Sequence, residues 1–296
     1  MIDKNYIHPK RFKWNINNNI SPSMLSFWQK NGFLIIDNFY SVDECEGLKN
    51  RAELLIENHS PENEIPYSLN NYDMKNESFK FSANNIVFFH EDNNCKELQS
   101  ISKNEGENIK EIGHAIHDLD PTFSNFSRKK SLAILLTSLG IEMPLLAKST
   151  YILKHSDNDK YSYYNQDSSI LYTEPESCIG CTISLENETI ENGCLWTFSQ
   201  GHLGPLKKRY FYNNENFEIL NFNNSDFPEP NIVLQSYVGT LIIQHGRLPY
   251  IFKMRDKKLS QHSYKINIID GRTEYSKNNI FNREPSFKFS GFFISK

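Results

Sequence analysis

No stretch of this 296-residue chain approaches the ~18 consecutive apolar residues of a membrane-spanning helix, so no transmembrane segment is expected. An excess of one charge is missing too. The 32 Lys and Arg stand against 36 Asp and Glu, a net charge of -4, and neither sign forms a long block. A nucleic-acid binder usually carries a basic stripe, so nucleic acid is not an expected partner. Cysteine is scarce: Cys45, Cys95, Cys178, Cys181 and Cys194 form an odd, scattered set that suits reduced thiols. That points to an intracellular, reducing compartment, the cytoplasm first and the mitochondrion as an alternative. Met1–Asn19 lacks the apolar core of a secretory signal, and the final Phe293-Ile294-Ser295-Lys296 lacks the Ser-Lys-Leu peroxisomal address. G-x-G-x-x-G, G-x-x-x-x-G-K-[ST] and G-x-S-x-G are absent, which removes the common nucleotide-binding and hydrolase signatures.

What is present suffices for a large core: 38% hydrophobic and 13% aromatic residues exclude wholesale disorder. About one residue in eight is asparagine, read as surface drift rather than chemistry. Ser21-Pro22 opens a helix that Gly32 can close, and a buried-looking strand, Phe33–Ile36, follows. Ser41-Val42-Asp43-Glu44 is a capping box for a helix carrying Cys45, Leu48, Ala52, Leu55 and Ile56. Further helices are expected over Ile109–His117 and Phe126–Leu139, the latter ended by Gly140, and Ser60–Lys80 reads as a long polar loop.

From Pro144 onward, short β-rich runs alternate with turns: 149–153, 170–172, 178–185, 194–198, 232–237, 240–244, 264–269 and 287–294. Many short strands at close spacing argue for a sandwich, barrel or jelly roll. The expected organisation is an N-terminal extension over 1–20 and a single domain over 21–296. In that domain a helical front (21–143) packs on a jelly-roll back (144–296), in the α+β or mainly-β class. Cys178 and Cys181 form a C-x-x-C within one of these strands. Positions three apart on a strand face opposite ways, so the two sulfurs are not expected to share a metal.

Phe33-Leu34-Ile35-Ile36-Asp37-Asn38-Phe39 followed by Ser41-Val42-Asp43-Glu44-Cys45 resembles the opening strand and helix of the phytanoyl-CoA dioxygenase family. Ile112-Gly113-His114-Ala115-Ile116-His117 with Asp120-Pro121 adds to the likeness, as do Leu171-Tyr172-Thr173-Glu174-Pro175 and Glu191-Asn192-Gly193-Cys194-Leu195-Trp196. Gly201-His202 and Gly239-Thr240-Leu241 follow in order. The resemblance spans roughly residues 25 to 270 and is greatest to the family's "domain-containing" subgroup. It implies a double-stranded β-helix, the cupin-like jelly roll, and Fe(II)- and 2-oxoglutarate-dependent oxygenase chemistry. In that family a His-x-Asp motif and a distant His hold the iron, and an Arg beyond the far His clamps 2-oxoglutarate.

This chain departs from the pattern where chemistry is done. The His-x-Asp place reads Asn165-Gln166-Asp167, and the far His falls on Tyr250. The clamping Arg aligns with Gln261 or, shifted by one, His262. A helper Lys aligns with Glu111, which would repel a dianion, and a helper Ser with Phe252. Of the usual pocket residues Gln166, Asp167 and Trp196 remain. No catalytic, metal or cofactor residue is therefore expected to function. Asn165, Asp167 and Tyr250 are vestigial metal positions, and Glu111, Gln166, Trp196, Phe252 and Gln261 vestigial co-substrate positions. No cofactor is expected, the alternative being Fe(II) and 2-oxoglutarate on a shifted set drawn from His155, His245 and His262, with Lys253, Arg255, Lys257 or Lys258 as clamp.

His114 and His117 are expected on one packed helix face, and His202 at a turn. Tyr163, Tyr164, Tyr250, Ile251 and Phe252 are expected to fill the vacated space. The leading functional reading is a non-catalytic scaffold, adaptor or subunit with a protein partner, engaged through loops such as Ser60–Lys80 and Lys207–Pro230 with its basic-aromatic Lys207–Tyr212 patch. The alternatives are an oxygenase with a rearranged metal site and a small-molecule binding module.

Overall fold

Ser21 caps the first helix, Pro22–Asn31: its hydroxyl accepts from the Met24 amide at 3.2 Å, and Pro22 takes the first turn, where no amide donor is needed. Gly32, at φ +74°, closes the helix, its N–H donating to Trp28 O at 2.8 Å. The chain then runs straight into the buried strand Phe33–Asp37. Ser41 and Glu44 form the reciprocal capping box of helix Val42–Glu57, at 3.1 and 2.7 Å. That helix buries Cys45, Leu48 and Ala52, one per turn. The computed structural model describes residues 6–14, 20–60, 64–67, 77–91, 109–153, 164–214, 216–223, 225–253 and 261–293.

Ten strands make the main sheet, in the order Phe12–Lys13, Phe33–Asp37, Leu241–His245, Ile179–Ser184, Ser263–Asp270, Pro144–Ile152, Ile109–His114, Ile86–Glu91 and Glu64–Tyr67, with Ser290–Gly291 also on Pro144–Ile152. A second sheet of Ile232–Leu234, Cys194–Thr197 and Ile251–Lys253 lies against it. Side chains alternate between two environments along each strand. Phe33, Ile35, Leu195, Leu234, Ile242 and Tyr250 pack together between the sheets, inside the jelly roll. Leu34, Ile36, Tyr264, Ile266 and Ile268 point the other way, where Leu48, Phe123, Leu132 and Leu136 of the helices cover them. The two sulfurs of the C-x-x-C part company accordingly: Cys181 belongs to the helix-side core and Cys178 to a different cluster.

The front half is richer in strands than expected. Ile109–His114 is a strand, and only Ile116–Leu119 beyond it is helical. A strand buried on both faces has no period-two signature, and its apolar residues imitate helical spacing. His114 and His117 therefore do not share a helix face. His114 bonds the Ser82 hydroxyl at 2.8 Å and His117 the Ser149 hydroxyl at 2.6 Å. The expected Phe126–Leu139 helix is two helices, Pro121–Ser127, capped by Asp120, and Lys130–Ser138, with Gly140 following at φ +99°. Within Ser60–Lys80 lie the strand Glu64–Tyr67 and the start of helix Glu77–Ser82. Residues 61–63 and 68–76 lie outside the described residues. Ile170–Tyr172 is a turn rather than a strand, Thr173–Glu174 being the paired segment, and the 287–294 run pairs only over Ser290–Gly291. The Lys207–Pro230 loop contains a hairpin of Lys208–Asn213 and Asn216–Asn221.

Phe123 is the contact that ties helices to barrel, fully buried with Tyr151 and Tyr264 edge-on at 5.9 and 5.2 Å. Phe123→Ala is expected to lower stability by about 3–5 kcal/mol, read as a shift in the urea midpoint without a change in slope.

Candidate functional site

The strand Ser263–Asp270 runs between Ile179–Ser184 and Pro144–Ile152, paired to both. With Tyr264, Ile266 and Ile268 facing the helices, Ser263, Lys265 and Asn267 turn into the barrel, all of them buried. Lys265 reaches its centre. Its ammonium donates to Asp167 Oδ1 at 2.8 Å and to the Tyr250 hydroxyl at 2.6 Å, and Tyr250 donates to the same Asp167 oxygen at 2.8 Å. The ammonium also lies 4.2 Å from the centroid of the Tyr250 ring.

Backbone geometry brings these groups together. Asn165 and Tyr250 stand opposite each other in an antiparallel bridge, each amide donating to the other's carbonyl at 2.8 and 3.0 Å. Asp167 opens the short turn Asp167–Ser169, anchored where the Ser168 amide donates to Gly246 O at 2.9 Å. Gly180, on the neighbouring strand, leaves room for the carboxylate, since a Cβ there would collide with Asp167 Oδ2. The family resemblance grouped Asn165, Asp167 and Tyr250; Asp167 and Tyr250 meet through their side chains, and Asn165 joins Tyr250 through the backbone bridge. It did not single out Lys265.

A second ion-bearing pair lies beside the first. Burial pushes the Lys148 amine down to about 8, offset partly by Glu111, while burial raises the Glu111 carboxyl against the lowering charges of Lys148 and Lys265. Burial next to the Asp167 charge pushes the Cys178 thiol well up, so it is an inert core thiol.

The other expected site residues are dispersed. Gln166 is a strut: its amide donates to Arg247 O at 2.6 Å and its carbonyl accepts from the Lys207 amide at 3.0 Å. Trp196 pairs with Ile251 and packs with Cys194 and Val233, on the face turned away from Tyr250, so it is no neighbour of Asp167. Ile251 lies on that same outer face, and Tyr164 bonds Pro228 O at 2.6 Å, so neither fills the centre. Phe252 packs with the inner cluster, its ring 6.2 Å from that of Tyr250. Gln261 is buried and donates to Gly193 O at 2.8 Å. His262 faces the helix side and bonds the Tyr151 hydroxyl at 2.7 Å. His245 sits beside Trp28 and His202, with burial holding its imidazole down at about 4. His202 does occupy a turn, Gly201–Leu203, and bonds Gln29 O at 3.1 Å. Lys253 lies over the outer face of Trp196. His155, Tyr163, Arg255, Lys257 and Lys258 lie outside the described residues.

A facial triad needs two imidazoles and a carboxylate around one point, with a guanidinium for the co-substrate. Asp167 is the single triad-type ligand at the centre described here, and its Oδ1 already accepts from an ammonium and a phenol. Among the described residues no three His, Cys, Asp or Glu side chains gather to hold a metal ion. The described residues at this centre do not fit Fe(II) with 2-oxoglutarate.

Two outcomes are expected. Lys265→Met leaves a buried carboxylate without its cation and should cost about 3–5 kcal/mol, and the double variant Asp167→Asn/Lys265→Met should recover most of the loss in chemical denaturation. The second concerns Glu188, buried beside Ser236, Ser184 and Gln261. Burial lifts its carboxyl to about 7, against the lowering effect of those three. A carboxyl raised on folding holds its proton longer in the native state, so its contribution is complete below the unfolded value near 4.5 and is lost as pH climbs through about 7. Glu188→Gln should flatten the fall in stability between those limits, an effect on the order of a few kcal/mol.

A family model described as phytanoyl-CoA dioxygenase (PhyH) matches residues 28–250. The phytanoyl-CoA dioxygenase of Arabidopsis thaliana is 29% identical over 276 residues, covering 90% of this chain and 95% of that one. Phytanoyl-CoA dioxygenase domain-containing protein 1 is 29% identical over 292 residues in Bos taurus, covering 91% and 97% of the two chains. The Rattus norvegicus protein of that name is 31% identical over 202 residues, covering 64% and 68%. The structure of the epimerase SnoN with Fe3+, alpha ketoglutarate and nogalamycin RO superposes with a TM-score of 0.60 at 11% identity, covering 90% of each chain. EctD from S. alaskensis with 2-oxoglutarate and 5-hydroxyectoine gives 0.56 at 14%, covering 93% of this chain and 84% of that one. At such identities these structures speak to the fold, the cupin-like jelly roll of iron and 2-oxoglutarate enzymes. The chain belongs to the phytanoyl-CoA dioxygenase family.

Proposed function

We propose that this protein is a non-catalytic member of its family, kept as a folded scaffold, adaptor or subunit for a protein partner. The observation that carries the reading is the Lys265 ammonium on Asp167 Oδ1 at 2.8 Å. A divalent cation would have to displace a buried, hydrogen-bonded ammonium and would gain one carboxylate in return. 2-Oxoglutarate would meet the carboxyl of Glu111 at the position of the helper Lys, and the position of the clamping Arg holds the neutral Gln261, its amide tied to Gly193 O. The surface supports a partner role: on the hairpin Lys208–Asn221 and just beyond it, Ile219, Leu220 and Phe222 are 48%, 44% and 51% exposed, beside the basic-aromatic patch. Among the described residues no helix is long and apolar enough to cross a membrane. Cys45, Cys178, Cys181 and Cys194 are free, buried thiols, in keeping with a reducing compartment such as the cytoplasm.

The discriminating measurement is the unfolding midpoint of anaerobically handled protein with and without excess Mn(II) plus 2-oxoglutarate. A ligand held at 100 times its Kd adds ~2.7 kcal/mol of stability. We expect no shift. A rise that needs both ligands together would restore the oxygenase reading with a triad built from other residues.

A further inference from the structure

The hairpin of Lys208–Asn213 and Asn216–Asn221 forms a sheet of its own, apart from the barrel sheets. One of its edges is closed. Tyr212 turns its amide away from the hairpin and donates to Asn278 O at 2.8 Å, so the body of the protein covers the Lys208–Asn213 edge. The phase of the ladder fixes what the other edge offers. The Phe222 amide donates to Lys207 O at 2.9 Å, in register with the pairs that follow, Lys208 opposite Asn221 through Asn213 opposite Asn216. Bonded positions alternate in an antiparallel pair, so Asn216, Glu218 and Leu220 turn their backbone groups to the partner strand. Phe217, Ile219 and Asn221 turn theirs outward, and among the described residues no strand meets them.

This edge carries none of the usual guards. Chains protect edge strands with lysine, proline or a bulge. Asn216-Phe217-Glu218-Ile219-Leu220-Asn221 has no lysine or proline and pairs without a bulge, and Glu218 is its single charge. That carboxylate accepts from Asn213 Nδ2 at 2.9 Å, within its own hairpin. Ile219 and Leu220 lie on opposite faces of the strand and are 48% and 44% exposed. Ile219 shares its face with Phe217, which packs on the body beside Tyr210 and Tyr212. Ile219 nonetheless stays half exposed, so the approach to the edge is open on both faces.

We propose that this edge pairs with the same edge of a second copy of the chain, joining two hairpins into one continuous antiparallel sheet about a two-fold axis at Ile219. A symmetric pair has few registers to choose from, and the charge decides among them. An axis at Glu218 sets two carboxylates directly opposite each other. An axis at Leu220 leaves Phe217 beyond the end of the paired strand. With the axis at Ile219, that residue meets its own copy, Phe217 meets Asn221 and Glu218 meets Leu220. All three outward residues then bond, about six hydrogen bonds in total, and no like charges face each other. One strand pair is small against the ~800 Å² that each side of a standard interface buries, so the dimer is expected to exchange with monomer. The inference takes up the surface on which the proposed partner role draws and names a second copy as the partner, but it does not depend on the state of the metal centre.

Sedimentation equilibrium of the full chain at rising concentration tests it, and the weight-average mass should climb from monomer toward dimer. Ile219→Pro removes the central outward N–H, a group the hairpin itself does not use, and should weaken the dimer by at least about tenfold. Ile219→Lys sets two ammonium groups face to face and should weaken it to a similar degree. Leu220→Lys instead meets Glu218 of the second copy and should hold the affinity within about threefold. Should Ile219→Pro fail to fold, the contrast between the two lysine variants decides. A mass that stays monomeric at every concentration would overturn the proposal, as would a dimer indifferent to the Ile219 changes or weakened equally by both lysines. A different protein that co-purifies with the monomeric chain and is lost from Ile219→Pro would also overturn it, assigning the edge to another chain. None of these readouts involves Mn(II) or 2-oxoglutarate, so this inference and the non-catalytic reading can fail separately.

Discussion

A carboxylate sealed inside a barrel must have positive charge beside it, and here the charge comes from the chain itself. Asp167 is buried, and its charge without a cation beside it would destabilise the fold. Lys265 meets that need from the middle of a strand paired on both sides. The neighbouring geometry follows from the pairing. Gly180 yields space for the carboxylate, the Asn165–Tyr250 bridge sets the phenol at its oxygen, and the turn at Asp167–Ser169 aims the carboxylate inward.

The same constraint shapes the rest of the lumen. Glu111 and Lys148 oppose each other's burial within it, so charge there is arranged in compensating pairs. The helix-side core has no such demand and is filled by Leu48, Phe123, Leu136 and Ile266 in ordinary apolar packing. Strand alternation lets one sheet serve both environments, because each strand offers every second residue to each side.

Much of this was written in the sequence, and the misses have identifiable physical reasons. The caps at Ser21 and Ser41 were readable because a side-chain oxygen at a helix start has a local signature. Asn165, Asp167 and Tyr250 were readable because motif spacing can be counted even where the residue types differ from the family's. Lys265 was missed because counting to the family's clamping position stops at Gln261, four residues short. Its signal was there in the alternation of Gln261, Ser263, Lys265 and Asn267 with Tyr264, Ile266 and Ile268, a strand with one polar and one apolar face that is nevertheless buried on both. The strand Ile109–His114 lacked even that, since burial on both sides erases the period that separates strand from helix.

The three-residue centre has a consequence for how the protein comes into being. A metal centre is finished only when an ion has been delivered, and until then its ligands crowd like charges and lone pairs together. The ammonium of Lys265 arrives by chain connectivity, carried by a strand paired on both sides. The charge on Asp167 is therefore balanced as soon as Ser263–Asp270 pairs with its two neighbours, so closing the barrel and neutralising its lumen are one event.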